Sequence, residues 1–310
     1  MKNSLKQLNY DEILEILNRK DFESYYCKTN SIPDASDLCD DLRKYIDIKN
    51  IPKKSVLGID IYKYGSYDDF EQTLIPFLFK LLFKKTIELC LESNQYIFQK
   101  YTYEKIINSF ISIGDGGFLI LDTPLHSLIF AINFDMVQRA YNSYHIFPKL
   151  RKIVGGISNR YAITIDKVYY FENNYYGRAI INNARILSKD NLNRCLLAQN
   201  AYDWFLLNID GIENLQLFTL NEIHNIYDFK DYDSSLISNG KNVIISDIAS
   251  RDSGIINSDI LKIGEIKSKE SSLSIYNLHI QATMEICSKE KDDRTKLITV
   301  SLGNLNTSGI

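Results

Sequence analysis

Apolar positions along the chain follow two rhythms. In residues 1–50 the spacing is helical: Leu8, Ile13, Ile16 and Leu17 form one stripe along the run EILEILNRK, with Asp11 placed to cap it. A second helix opens near Asp34 or Ser36 and sets Leu38, Leu42, Tyr45 and Ile46 on one side. The pattern then changes. SVLGIDIYKYG (55–65) is a short β-rich run ending at Gly65, and a long helical stretch over roughly 68–92 follows, dense in Phe70, Leu74, Phe77, Leu78, Leu81 and Leu82. INSFISIGDGGFLILDTP (107–124) sets two apolar runs around a Gly-Asp-Gly-Gly turn, which signals a β-hairpin. Residues 125–144 read as helix, 151–170 as a pair of strands, roughly 177–189 as helix, and the tail from 213 as further strands including LSIYNLHI (273–280).

Strand, helix, hairpin, helix, strand is the βαββαβ order of a ferredoxin-like core. With helices on one face of an antiparallel sheet, the fold class is α+β with an N-terminal helical extension. The expected division is 1–50 for the extension, 51–285 for the main domain and 286–310 for a C-terminal tail. No internal repeat or low-complexity segment is present.

Composition removes several function classes. The 36 basic residues nearly balance the 39 acidic ones, for a net charge of −3, so the basic excess that nucleic-acid binding draws on is missing. An aromatic ferredoxin-like RNA platform is disfavoured on the same ground. Five scattered cysteines contain no CxxC pair and four histidines no metal-ligand spacing, which points to reduced thiols rather than zinc or disulfides. The N-terminus is too charged for a secretory signal, and the most apolar window, Ile75 to Phe83, is interrupted by Lys80. The expected setting is cytoplasmic, without membrane or nucleic-acid partners.

Candidate chemistry then centres on carboxylates. Phosphoryl transfer to a ribose hydroxyl needs charge neutralisation on the triphosphate and a lowered pKa at the hydroxyl. Two divalent ions supply both, and hard ions take oxygen ligands. Asp60 lies at the end of the first strand, in GIDIYKYGS, and Asp115 at the hairpin tip, in SIGDGGFLI. A βαββαβ sheet puts the first strand beside the hairpin, so the two can face each other. Either aspartate alone is an ordinary turn or strand-end residue. A third segment, YYGRAIINNARIL (175–187), carries Asn182 and Arg185 three apart on one helix face, an amide and a guanidinium suited to ribose and developing phosphoryl charge.

Together these segments resemble the class III nucleotidyl cyclase family. Asp60 precedes a turn, Lys63-Tyr64-Gly65-Ser66, similar to the family's Gly-Phe-Thr/Ser turn, and Gly114-Asp115 sits between two apolar runs as in its hairpin. Gly156-Ile157-Ser158-Asn159 partly matches its Gly-Ile-x-x-Gly strand start, with Arg160 where the second Gly is expected. Asn183-Ala184-Arg185 matches the end of its catalytic helix motif, and Lys262-Ile263-Gly264 with Ser274-Ile275-Tyr276 looks like its closing hairpin. The likeness covers about residues 55–285 in the right order. Two departures concern substrate: Ile111 and Asn174 stand where adenylate cyclases carry their adenine-reading Lys and Asp. A third is Ile181, four residues before Arg185, where the family's transition-state Asn belongs and from which Asn182 is one place late.

The resemblance implies a head-to-tail homodimer with active sites at the interface. Asp60, Asp115 and the carbonyl of Ile61 would hold two ions, Mn2+ or Mg2+; Asn182 and Arg185 would be catalytic. Asn174, Tyr64, Lys262 and Lys267 would contact substrate, with Lys269 a further candidate for the triphosphate tail. A compact cyclase domain without the adenine pair is most similar to the bacterial pyrimidine cyclases of the Pycsar anti-phage system, which implies conversion of UTP or CTP to the 3′,5′-cyclic monophosphate and a cyclic-nucleotide-sensing effector downstream. A catalytically inactive nucleotide-responsive dimerisation module and a purine (adenylate or guanylate) cyclase stay open as alternatives.

Overall fold

The computed structural model describes residues 10–21, 36–45, 51–217, 219–237, 254–267, 272–286 and 296–310. The chain divides into two units, one formed by residues 1–53 and 166–178, the other by 54–165 and 179–310. In the first, α1 (Tyr10–Asp21) packs on α2 (Ser36–Tyr45). Asp11 falls inside the first turn of α1 rather than at its cap; Leu8, Asp34 and Ile46 lie outside the described residues. The same unit holds residues 166–171 of β4 (Asn159–Phe171) and all of β5 (Asn174–Gly177), an antiparallel hairpin with Tyr169 stacked on Tyr176.

The second unit is built on a mixed sheet. β1 (Lys53–Ile61) pairs antiparallel with β3 (Gly116–Leu121), which pairs with β2 (Phe110–Ser112). The sheet order is β2-β3-β1-β4-β6-β8-β7, with β6 at Cys195–Ala198, β7 at Gly254–Lys267 and β8 at Ser272–Ile286. The order of the first four strands is that of a ferredoxin-like core, and the fold is α+β as expected. The β4–β6 pair is parallel, so the sheet is mixed rather than antiparallel. Residues 296–302 form β9 (Lys296–Leu302) and add to β8.

Burial explains the placement of β1. From Ser55 to Ile61 every residue is buried, as a central strand covered on both faces requires. Leu57, Ile59 and Ile61 face the main core, with Leu78, Leu82 and Phe83 of α3 (Asp69–Ser93) and Phe130 and Phe134 of α6 (Pro124–Asn142). Successive side chains alternate between faces, so Val56, Gly58 and Asp60 point the other way. There α8 (Arg178–Lys189) covers Gly58, against the expectation of helices on one face only. Asn183 is fully buried beneath α8, its amide donating to Val56 O at 2.8 Å and Ala162 O at 2.9 Å.

Gly58 is what lets the helix come this close. A Cβ there would lie 2.0 Å from Asn183 Oδ1 and 2.7 Å from Leu187 Cδ1. Asn183 is held at two carbonyls and has little freedom to give way. Gly58→Ala is therefore expected to lower stability by about 1–3 kcal/mol, the usual cost of overpacking. A thermal melt checks it; an unchanged midpoint would mean that α8 yields freely.

Two stretches depart from the sequence pattern. Residues 148–154 form α7 (Pro148–Val154), with Pro148 setting its first turn, and a single strand β4 follows instead of a pair. The segment after β6 is helical, with α9 (Gln199–Ile209), α10 (Leu220–His224) and 3-10 turns at Ile212–Leu217, Tyr227–Phe229 and Ser234–Ile237, before strands resume at β7. Two shorter helices, α4 (Gln95–Phe98) and α5 (Tyr103–Asn108), precede β2 and take the first residues of the expected hairpin.

Candidate active site

Asp60 stands at the penultimate position of β1, directly opposite Gly116 in β3, and Asp115 is the residue before that glycine. The hairpin turn closes where Ile113 N donates to Gly116 O at 3.0 Å. Gly114 takes a φ of 105°, a left-handed conformation that suits glycine and swings Asp115 back toward β1. Ile61 N donates to Asp115 O at 3.4 Å, tying the turn to the strand end. The pairing of β1 with β3 thus brings together two carboxylates that lie 55 positions apart in the chain (115 minus 60).

Their electrostatics are those of like charge only partly offset. Burial first, then the charge of Asp60, push the Asp115 carboxyl up from 3.8 to about 6, and the guanidinium of Arg160 offsets part of this. Arg160, near the start of β4, donates from Nε to Asp60 Oδ2 at 2.5 Å and from Nη1 to Asp190 O at 2.5 Å. Tyr62 N donates to Ser158 O at 2.9 Å, which fixes the β4 entry beside the end of β1. A divalent cation relieves this kind of carboxylate repulsion, and the oxygens of Asp60 and Asp115 are donors of the kind Mg2+ or Mn2+ accepts. Among the described residues no three His, Cys, Asp or Glu side chains converge, so water, backbone carbonyls or substrate oxygens would complete any coordination.

The raised pKa gives a testable sign. Asp115 binds its proton more tightly folded than unfolded, so this contribution favours the fold below about pH 4 and is lost as pH rises through 6. Asp115→Asn should raise stability at pH 8 without metal by about 1 kcal/mol once solvent screening of a half-buried group is counted, read as a higher melting point. The gain should vanish at pH 4. An equal gain at both pH values would show that charge is not its cause.

The other expected site residues are placed as follows. Asn182 and Arg185 come together on α8, with Arg185 Nη1 donating to Asn182 Oδ1 at 3.4 Å, on the side away from the buried Asn183 and Ile186. Arg185 and Ile181 are exposed. Tyr64 sits in a 3-10 turn after β1 with its hydroxyl donating to Gln72 O at 3.1 Å. Lys262 lies on β7 and pairs with Glu265 at 3.0 Å, and the exposed Lys267 ends that strand. Lys262 stands opposite Tyr276 across a bulged antiparallel β7–β8 pair, the two segments that the resemblance likened to a closing hairpin. Asn174 opens β5 in the other unit and is exposed. Lys269, Cys27 and Cys287 lie outside the described residues.

Sequence reading did not place Arg160 in the site. Its one signal was a charged residue where a glycine is expected. The histidines act in packing where burial is deep: His126 is fully buried between Thr123 Oγ1 and Ile97 O, each at 2.8 Å. No helix among the described residues is long and apolar enough to cross a membrane.

No protein-family model matches the chain, and no curated protein does. Solved structures do. An adenylate/guanylate cyclase/hydrolase from Silicibacter pomeroyi is 12% identical at a TM-score of 0.39, over 73% of this chain and 95% of that one. The adenylyl cyclase CyaB from P. aeruginosa is 11% identical at 0.38, over 78% and 96%. The guanylyl cyclase Cya2 is 9% identical at 0.38, over 73% and 91%. At such identities and scores the chemistry of this chain stands on its own residues.

Proposed function

We propose that the chain is a nucleotide cyclase that closes a pyrimidine nucleoside triphosphate, UTP ahead of CTP, to the 3′,5′-cyclic monophosphate and pyrophosphate. The observation that carries it is the side-by-side placement of Asp60 and Asp115 at one end of adjacent strands, where burial and mutual repulsion call for a cation. When bound there, a divalent ion, Mn2+ or Mg2+, lowers the pKa of the ribose hydroxyl and neutralises charge on the α-phosphate. Asp60 and Asp115, with the carbonyl of Ile61, would hold that ion.

The protein's other residues bind and position. Asn182, half-buried, and Arg185, exposed, form an amide–guanidinium pair on the outer side of α8, which suits donation across a two-fold interface to a second copy's carboxylates. In that head-to-tail homodimer the partner subunit's Arg185 meets charge on the transferring phosphoryl group, and the partner subunit's Asn182 meets the ribose. Lys262 and Lys267 are the candidates for the triphosphate tail, and Tyr64 lines the turn beside Asp60. Base preference rests on Ile111, which offers no hydrogen bond, and on Asn174, whose amide offers both donor and acceptor to a pyrimidine edge. The product would serve as a second messenger in anti-phage defence, read by a cyclic-nucleotide-sensing effector.

Incubating pure protein with Mn2+ and each of the four nucleoside triphosphates, then weighing the products by mass spectrometry, tests this. Cyclic UMP, with less cyclic CMP, is expected. Mainly cyclic AMP or cyclic GMP would replace the pyrimidine reading with a purine one. No cyclic product from any nucleotide would leave the second reading, an inactive nucleotide-binding dimerisation module, which the ion pair of Arg160 with Asp60 favours.

A further inference from the structure

Two cations between two aspartates would draw on the negative charge of both carboxylates. Asp60 already faces one fixed positive charge. Its Oδ2 accepts from Arg160 Nε at 2.5 Å. The Asp60 side chain is 10% exposed, so water does little to screen the pair.

Arg160 is also held from behind. Its Nη1 donates to Asp190 O, and Asp190 directly follows α8, where its N donates to Ile186 O at 3.0 Å. The Asp190 carboxylate accepts from Leu192 N at 3.2 Å and pairs with Arg194 at 2.7 Å, both partners of that pair being almost fully buried. Arg194 in turn donates to Ser308 O at 2.7 Å. Moving Arg160 off Asp60 would therefore also strain its bond to a carbonyl that buried contacts hold in place. A guanidinium keeps its charge at any working pH and cannot be removed by titration.

We propose that Arg160 fills the place of one of the two cations, so that the Asp60–Asp115 pair would hold a single divalent ion. This rests on the cyclase reading of the same site and changes the ion count expected from the sequence. In it Arg160 is a permanent countercharge that also faces the incoming triphosphate.

Counting Mn2+ bound to the full chain by electron paramagnetic resonance, with the metal alone, tests it. The wild type should bind one isolated ion per chain. Arg160→Gln, which keeps a donor of similar reach but no charge, should double the count and show the spin coupling of ions about 3.5–4 Å apart. Arg160→Lys, which keeps the charge, should stay at one. Two coupled ions in the wild type, or a single ion in Arg160→Gln with its melt intact, would overturn the inference while leaving the cyclase reading standing. Mn2+ binding that is absent, or unchanged in Asp115→Asn, would overturn both.

Discussion

Asp60→Asn and Asp115→Asn are each expected to abolish cyclisation, with turnover falling by orders of magnitude while the fold persists. An amide keeps the shape and one oxygen of the carboxylate but removes the negative charge that retains a hard divalent ion. Losing the ion removes hydroxyl activation and charge stabilisation together, the two contributions on which phosphoryl transfer depends. The melts should then separate the two variants. Asp115→Asn relieves a carboxyl whose charged form is already penalised, so it should melt higher than wild type at pH 8. Asp60→Asn leaves Arg160, a quarter exposed, without its carboxylate, and should cost about 1–2 kcal/mol, less than the 3–5 typical of a fully buried broken pair. Product formation beside thermal melts, with and without Mn2+, checks both halves. Near-wild-type turnover in either variant would remove the metal mechanism.

The second large effect concerns complementation. Asp115→Ala and Arg185→Ala should each be inactive alone, yet regain activity when co-expressed or refolded together. The reason is geometric. Asp115 lies at the end of β1 and β3, whereas Arg185 projects from the exposed side of α8. In a two-fold dimer each site would draw its carboxylates from one copy and its helix residues from the other. A mixed dimer therefore holds one fully wild-type site and one doubly broken site. Random mixing makes half of the dimers mixed, so recovery should reach about a quarter of wild-type activity. The measurement is turnover against mixing ratio, which should peak at equal parts. Mixtures that stay inactive while native mass spectrometry shows mixed dimers would argue for a site complete within one chain.

Much of this architecture was legible in the pattern of residues. The apolar run ending in Asp60 and the two runs around Gly114 form β1, β2 and β3, and their order in a βαββαβ chain is enough to bring the two aspartates together. The long helix after residue 68 begins where expected, with Asp68 and Glu71 forming a capping box. Other stretches misled for a local reason. The β-branched residues of 151–170 suggest strands, but Pro148 starts a helix and Gly155, at a φ of 81°, ends it. Residues 213–237 have no clear period, and their helical turns come from local caps such as Thr219 with Glu222 and from burial of Leu215, Ile223 and Phe229.

The sequence by itself determined the order of elements, the α+β class and the adjacency of Asp60 and Asp115, because hydrophobic period and turn chemistry are local and strand pairing follows from their order. Only the tertiary structure decided which charges meet. Arg160 lies 100 positions from Asp60, Asp190 30 beyond Arg160, and Ser308 114 beyond Arg194. No spacing rule links such residues, since ion pairs of this range exist only once the sheet has closed. It likewise decided that Asn183 is buried as a clamp on β1 while its neighbours Asn182 and Arg185 stay free to reach outward. In the chain the three look alike; one helical turn over a glycine separates them.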